Sequence, residues 1–163
     1  MLNFFPYFSK DNIRVVVGLD FGTTYSGFFY CHVANQEEIC TYDKWPEASC
    51  FKTNTVLQYD QNNNLTSWGA AALIENPSRG KRKYNNNKPV ELFKLHLLGS
   101  ELGDERPFLP DELDYRKVIK DYLENLGMDV KRRIDIHWRD VDFYSQVAIV
   151  LTVTKNKPFN FEV

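Results

Sequence analysis

Val15-Val16-Val17-Gly18-Leu19-Asp20-Phe21-Gly22-Thr23-Thr24-Tyr25-Ser26-Gly27 decides how the rest of the chain is read. Its first five residues form an unbroken apolar run, the pattern of a strand covered on both faces, and the run ends on a carboxylate, Asp20. Gly22 supplies a permissive backbone for a tight turn. Ser26 to Val33 is again rich in strand formers, so the two runs predict a hairpin. Asn35-Gln36-Glu37 turns the chain once more and Glu38 to Tyr42 adds a third antiparallel strand. The opening therefore reads as a β-meander.

Further along, Thr53 to Tyr59 and Leu65 to Trp68 flank the Asn-rich stretch Asp60 to Asn64 and predict a second hairpin. Gly69 to Glu75 predicts a short helix, because alanine costs least to fix in one, and it should stop before Asn76-Pro77. Residues 76–89 read as an exposed loop, with Arg79, Lys81, Arg82, Lys83 and Lys88 forming a solvated basic surface. Val90 to Leu98, bounded by Pro89 and Gly99, fits either a short helix or an extended segment, and the residues from Gly99 to Pro110 fit a loop. Apolar residues then recur at Tyr115, Ile119, Tyr122, Leu126, Val130, Ile134 and Trp138, in steps of three and four. They predict one amphipathic helix over about 112–138, entered through acidic residues near its positive end. Val147 to Val153 is a second apolar strand, and helix followed by strand predicts a layered α/β core.

Composition bounds what such a fold can do. The chain has 163 residues with 20 basic and 22 acidic side chains, a net charge of −2, which argues against a nucleic-acid partner held by general phosphate neutralisation. No window approaches the eighteen or so apolar residues of a spanning helix, and Met1 to Lys10 has neither a basic head nor a small-residue cleavage site. No membrane partner is expected. Cys31, Cys40 and Cys50 are odd in number and fit neither a disulfide framework nor a zinc site, so they read as reduced thiols of a cytoplasmic protein, Cys31 as a small core residue. His32, His96 and His137 lack metal spacing, Asp140 and Asp142 read as a solvated turn, and Trp45, Trp68 and Trp138 as packing residues.

The chemistry concentrates in Asp20 to Ser26. A tight glycine turn exposes backbone N–H groups, adjacent threonine hydroxyls donate to anionic oxygens, and a nearby carboxylate can hold hydrated Mg²⁺. That is the make-up of a phosphate clamp; a hairpin with a β-bulge and Thr-rich strand ends accounts for the same spacing. Neither a Walker loop nor a dinucleotide fingerprint is present.

Val15 to Gly27 resembles the first phosphate motif of the actin-like ATPase superfamily, and Asp20-Phe21-Gly22-Thr23-Thr24-Tyr25-Ser26 resembles the form found in 70-kDa heat-shock chaperones. Sugar kinases of that superfamily share a similar core, so the loop leaves the branch open. Three more segments resemble the chaperone branch: Trp68-Gly69-Ala70-Ala71-Ala72, Phe93-Lys94-Leu95-His96-Leu97-Leu98-Gly99, and Val150-Leu151-Thr152-Val153. The likeness spans about residues 13–153 and is nearest to the divergent heat-shock 70-kDa protein 12 type.

The resemblance implies an α/β fold of the ribonuclease H-like, actin-like ATPase type: a first lobe with a mixed sheet and an antiparallel opening meander. Residues 1–12 would be an extension, 13–153 a partial nucleotide-binding domain with an insertion over about 50–110, and 154–163 a divergent tail. Gly22, Thr23, Thr24 and Tyr25 would hold the β- and γ-phosphates of ATP, Asp20 would organise Mg²⁺ through water, and Lys94 would sit near the γ-phosphate and orient the attacking water. Where the family continues into Pro-Ala, this chain reads Thr154-Lys155-Asn156-Lys157, and no second phosphate motif follows. The expectation is thus a truncated lobe with ATP and Mg²⁺ weakly held, no meaningful ATPase turnover, and apolar surface around strand 147–153 that favours self-association. A lobe that no longer holds ATP would serve as an interaction module for protein partners or clients, or be a truncated gene product; phosphoryl transfer to a polyol would mark a sugar kinase.

Overall fold

A computed structural model describes residues 12–45, 50–74, 88–102 and 106–152. Strand β1 (Val15–Phe21) runs antiparallel to β2 (Tyr25–His32), pairing Val15 with His32 and Phe21 with Ser26. Beyond β2 lie two short strands, β3 (Cys40–Thr41) and β4 (Thr53–Asn54), both antiparallel to it. A three-stranded sheet follows, in which β5 (Val56–Tyr59) lies between β6 (Leu65–Trp68) and β7 (Val90–Glu91). Helix α1 (Tyr115–His137) and the short α2 (Phe143–Gln146) lead into β8 (Val147–Thr152). That last strand runs parallel to β1, from Val15 opposite Val147 to Asp20 opposite Thr152. The first sheet therefore has the order β3-β2-β1-β8 and is mixed, while the second is antiparallel. The α/β class, the opening meander and the Asn-turned hairpin are all present.

Side-chain alternation explains the layering. Val15, Val17, Leu19 and Phe21 are buried in one core with Val118, Tyr122, Leu126, Val130 and Ile134 of α1. Each such aliphatic or aromatic burial contributes about 1.5–3 kcal/mol relative to exposure. The opposite face of β1 is not covered in the same way, which corrects the reading of a strand buried on both sides. There Val16 and Asp20 are half-buried, and Gly18 is covered by the Phe29 ring, itself 43% exposed. In β8 Val147 is buried, whereas Ile149, Val150 and Leu151 are 48%, 54% and 40% exposed, so the strand forms an apolar edge among the described residues.

Helix α1 begins later than the acidic entry at 112 implied. Glu112 has φ of 65°, a left-handed conformation outside any helix, and Asp114 is the N-cap, its carboxylate accepting from the Arg116 N–H. The alanine-rich segment is a 3-10 helix, Gly69–Leu73, positioned by Gly69 at φ 65° and by Thr53 Oγ1, which accepts from the Ala70 N–H. Val90 to Leu98 takes both expected forms in turn, β7 followed by 3-10 geometry over Phe93–Leu102 that is kinked at Gly99. Arg79, Lys81, Arg82 and Lys83 lie outside the described residues, as do Val153, the tail and residues 1–11; Lys88 is exposed and lies over the Phe108 ring. Cys31 and Cys40 are half-buried and Cys50 is exposed, all three free, so Cys31 is a half-buried thiol in β2 rather than a fully buried core residue.

Three deeply buried tyrosines tie the layers together: Tyr30 takes a hydrogen bond from Arg133, Tyr59 donates to Asp121, and Tyr122 donates to the Asn54 carbonyl. Burial raises all three phenols above their ordinary value of 10.0, Tyr59 the most, with Asp121 pushing the same way. The unfolded chain ionises first, so their contribution to stability is complete below pH 10 and is lost as pH rises above it. Denaturant midpoints measured from pH 8 to 11 should be flat in this respect up to about 10 and then fall, with Tyr59 approaching a limiting slope of about 1.4 kcal/mol per pH unit. Tyr59→Phe should flatten that fall; an unchanged profile would contradict the assignment.

Candidate functional site

The turn between β1 and β2 is held from outside by a residue distant in sequence. Thr55 donates its N–H to the Thr24 carbonyl at 2.8 Å and its hydroxyl to the Gly22 carbonyl at 3.1 Å, and lies 2.8 Å from the Ser26 hydroxyl. Ser26 and Thr55 are buried, so the network is shielded from water. With two carbonyls of the turn fixed, the peptide planes of Gly22, Thr23 and Thr24 have little freedom. Gly22 is required for space rather than for an unusual φ, since a Cβ there would sit 2.1 Å from the Tyr25 carbonyl oxygen. Thr23 is half-buried, while Thr24 and Tyr25 are exposed at the mouth of the turn.

Charged groups converge on the same end of the sheet. Asp20 stands where the parallel strands β1 and β8 both end, and in open α/β sheets the crevice beyond the carboxyl ends of the strands is where ligands bind. The Asp20 carboxylate meets Lys52 Nζ through Oδ2 at 2.5 Å, and the Thr152 hydroxyl shares its proton between Oδ1 and the Leu19 carbonyl, 3.2 Å from each. Lys94, from the 3-10 segment 73 residues away, donates to the Phe21 carbonyl at 2.5 Å and lies 5.1 Å from the centre of the Phe21 ring. Burial lowers its pKa, and the attraction of Asp20 opposes that shift.

Every residue expected at the site thus stands at one end of the sheet: Asp20, Gly22, Thr23, Thr24 and Tyr25 by sequence adjacency, Lys94 by folding. Lys52, Thr55 and Thr152 join them unannounced. Thr152 had a signal in sequence, since Val15–Leu19 and Val147–Leu151 are apolar runs of equal length that each end on a polar residue. Nothing in local spacing marks Lys52 or Thr55.

Two ammonium groups, one carboxylate and the Thr23 and Thr24 hydroxyls at the turn make a donor-rich site with a net positive charge, suited to a multiply charged oxyanion. The fit to Mg²⁺ held by Asp20 is poor. An ion bridged to Asp20 by water would have to share the carboxylate with the Lys52 ammonium, which already stands 2.5 Å from Oδ2, and the two like charges oppose each other there. No group of three or more His, Cys, Asp or Glu side chains among the described residues is arranged for a metal. The histidines have structural partners: His32 Nδ1 accepts from the Ala34 N–H, His96 hydrogen-bonds with the Pro107 carbonyl, and His137 packs on Tyr30 and Trp138. Asp140 pairs with Arg14 and Asp142 caps α2, and Trp45, Trp68 and Trp138 pack in the aromatic core. No described helix is long and apolar enough to cross a membrane. No family model, curated protein or solved structure matches the chain.

Proposed function

We propose that the chain is a nucleotide-binding lobe of the actin-like ATPase type, which grips the phosphates of ATP in the turn Gly22-Thr23-Thr24-Tyr25. The observation that carries the reading is the placement of Lys94. A lysine picked out by resemblance alone delivers its ammonium to the carbonyl of Phe21, between Asp20 and the glycine turn, across 73 residues of chain. A mixed sheet that opens on an antiparallel meander is also what the resemblance implies. In this reading Thr23 and Thr24 donate hydroxyls to phosphate oxygens, Lys94 neutralises the outermost phosphate, and Thr55 keeps the turn rigid before ligand arrives. Preorganisation of that kind adds affinity by removing the cost of ordering the loop on binding. We propose binding alone, since hydrolysis also requires the phosphates to be clamped from both sides and water to be excluded.

A thermal melt with and without millimolar ATP tests it. At a hundred times its Kd, a ligand that binds only the folded chain adds about 2.7 kcal/mol, which raises the midpoint of a chain this size by about 5–10 °C. Lys94→Met, which keeps an apolar stem on the Phe21 ring, should melt like the parent without ATP and lose most of the shift with it. A cooperative melt that ATP leaves unmoved in the parent would overturn the nucleotide reading. It would favour an interaction module instead, whose supporting observation is the exposed apolar edge of β8 at Ile149, Val150 and Leu151.

A further inference from the structure

Resting on the nucleotide reading, we infer that Lys52 takes the place of the metal ion at this site, so that the turn binds nucleotide phosphates without Mg²⁺. Lys52 Nζ lies 2.5 Å from Asp20 Oδ2, and the Thr152 hydroxyl, 3.2 Å from both the Leu19 carbonyl and Oδ1, faces the other carboxylate oxygen. The position from which a hydrated cation would bridge Asp20 to a phosphate is therefore already cationic, and the charge is carried by the chain itself. An ammonium has three donors; with one directed to Asp20, two remain for oxyanion oxygens. Lys94 supplies a second ammonium close enough for the Asp20 charge to act on its ionisation. Lys52 is tethered by its neighbours, because Thr53 and Asn54 pair with Ser26 and Tyr25 in the strand that leaves the turn. Its backbone is thereby fixed beside the clamp, while half of the side chain stays open to an incoming ligand.

Asp20 then has a different job from that of a metal-organising carboxylate. It is the counter-ion that holds Lys52 in place, and the two roles predict opposite responses to substitution. A metal-organising aspartate is needed for binding and its loss weakens affinity. A counter-ion competes with the ligand for the ammonium, so removing its charge while keeping a side-chain oxygen to hold Lys52, as Asn does, leaves affinity unchanged or improves it.

Isothermal titration of ATP into the full chain, in 5 mM EDTA and in 5 mM MgCl₂, decides between them. The parent should bind in EDTA with an affinity within about threefold of that in Mg²⁺. Lys52→Met should lose about tenfold or more in EDTA, as expected for removal of a charge-assisted hydrogen bond, and recover part of the loss in Mg²⁺ once Asp20 is free to engage the ion. Lys52→Arg should retain the parent's metal independence, and Asp20→Asn should bind in EDTA at least as tightly as the parent. Melts without ligand establish that each variant folds. Binding by the parent only when Mg²⁺ is present, or weakened binding by Asp20→Asn in EDTA, would overturn the role of Lys52 while leaving the nucleotide reading standing. No binding under either condition would overturn both.

Discussion

Tyr122→Ala is expected to destabilise the fold by about 3–5 kcal/mol, the range for deleting a large aromatic from a closed core. Tyr122 has no exposed surface, and its ring meets Phe21 at 5.8 Å, Phe93 at 5.7 Å and Trp68 at 5.7 Å between ring centres. These partners come from β1, from the 3-10 segment that carries Lys94, and from β6, so one ring joins both sheets to α1. Its hydroxyl donates to the Asn54 carbonyl, and the Ser26 and Thr55 hydroxyls partly offset the effect of burial on the phenol. Tyr122→Phe removes the hydroxyl alone and should cost about 1 kcal/mol. Denaturant unfolding of the three proteins checks the ladder. A loss below 1 kcal/mol for the alanine variant would mean that the two sheets do not share this core.

Gly22→Val should cost about 1–3 kcal/mol in stability and remove the ATP-induced shift in the melt entirely. A Cβ at Gly22 would meet the Tyr25 carbonyl oxygen at 2.1 Å, and a backbone atom in a paired strand cannot swing aside. The turn would open, and with it the two hydrogen bonds from Thr55 to the Gly22 and Thr24 carbonyls. Gly18→Ala is the informative control. Its Cβ would also come within 2.1 Å of an atom, but that atom belongs to the half-exposed ring of Phe29, which can turn away. The Gly18 variant should therefore keep its ATP response at a smaller cost in stability. Equal losses at both positions would show that the strand pair as a whole, rather than the turn, governs the effect.

Local patterns made much of this fold legible. The apolar run before Asp20 and the strand formers after Ser26 place β1 and β2, and the steps of four from Tyr122 to Ile134 mark the buried face of α1. What escaped depends on contacts between distant residues. Val118 is buried although the spacing ran through Tyr115 and Ile119, because the face turned to the core runs in steps of four through Val118, Tyr122, Leu126, Val130 and Ile134. Thr53 and Asn54 read as the start of a hairpin strand, yet they pair with β2 instead and bring Lys52 and Thr55 to the turn. The coverage of each β1 face was likewise hidden, since an apolar run does not reveal which neighbour supplies the cover. At the site, the residues contiguous with Gly22 could be read from spacing, and Lys94 from resemblance. Lys52 and Thr55 could not, because 32 residues separate Lys52 from Asp20 and 33 separate Thr55 from Gly22.

The position of β1 between β2 and β8 also sets a timetable for assembly. Its hairpin partner emerges almost at once, but the contact between Asp20 and Thr152 closes 132 residues of chain. At translation rates of about 5–20 residues per second, the interval between the two is on the order of ten seconds. Throughout it the β1–β2 hairpin has one edge without its strand, and the ordering entropy of so long a loop is lost before the pairing compensates. The nascent chain thus carries an apolar edge open to other chains until α1 and β8 have both left the ribosome.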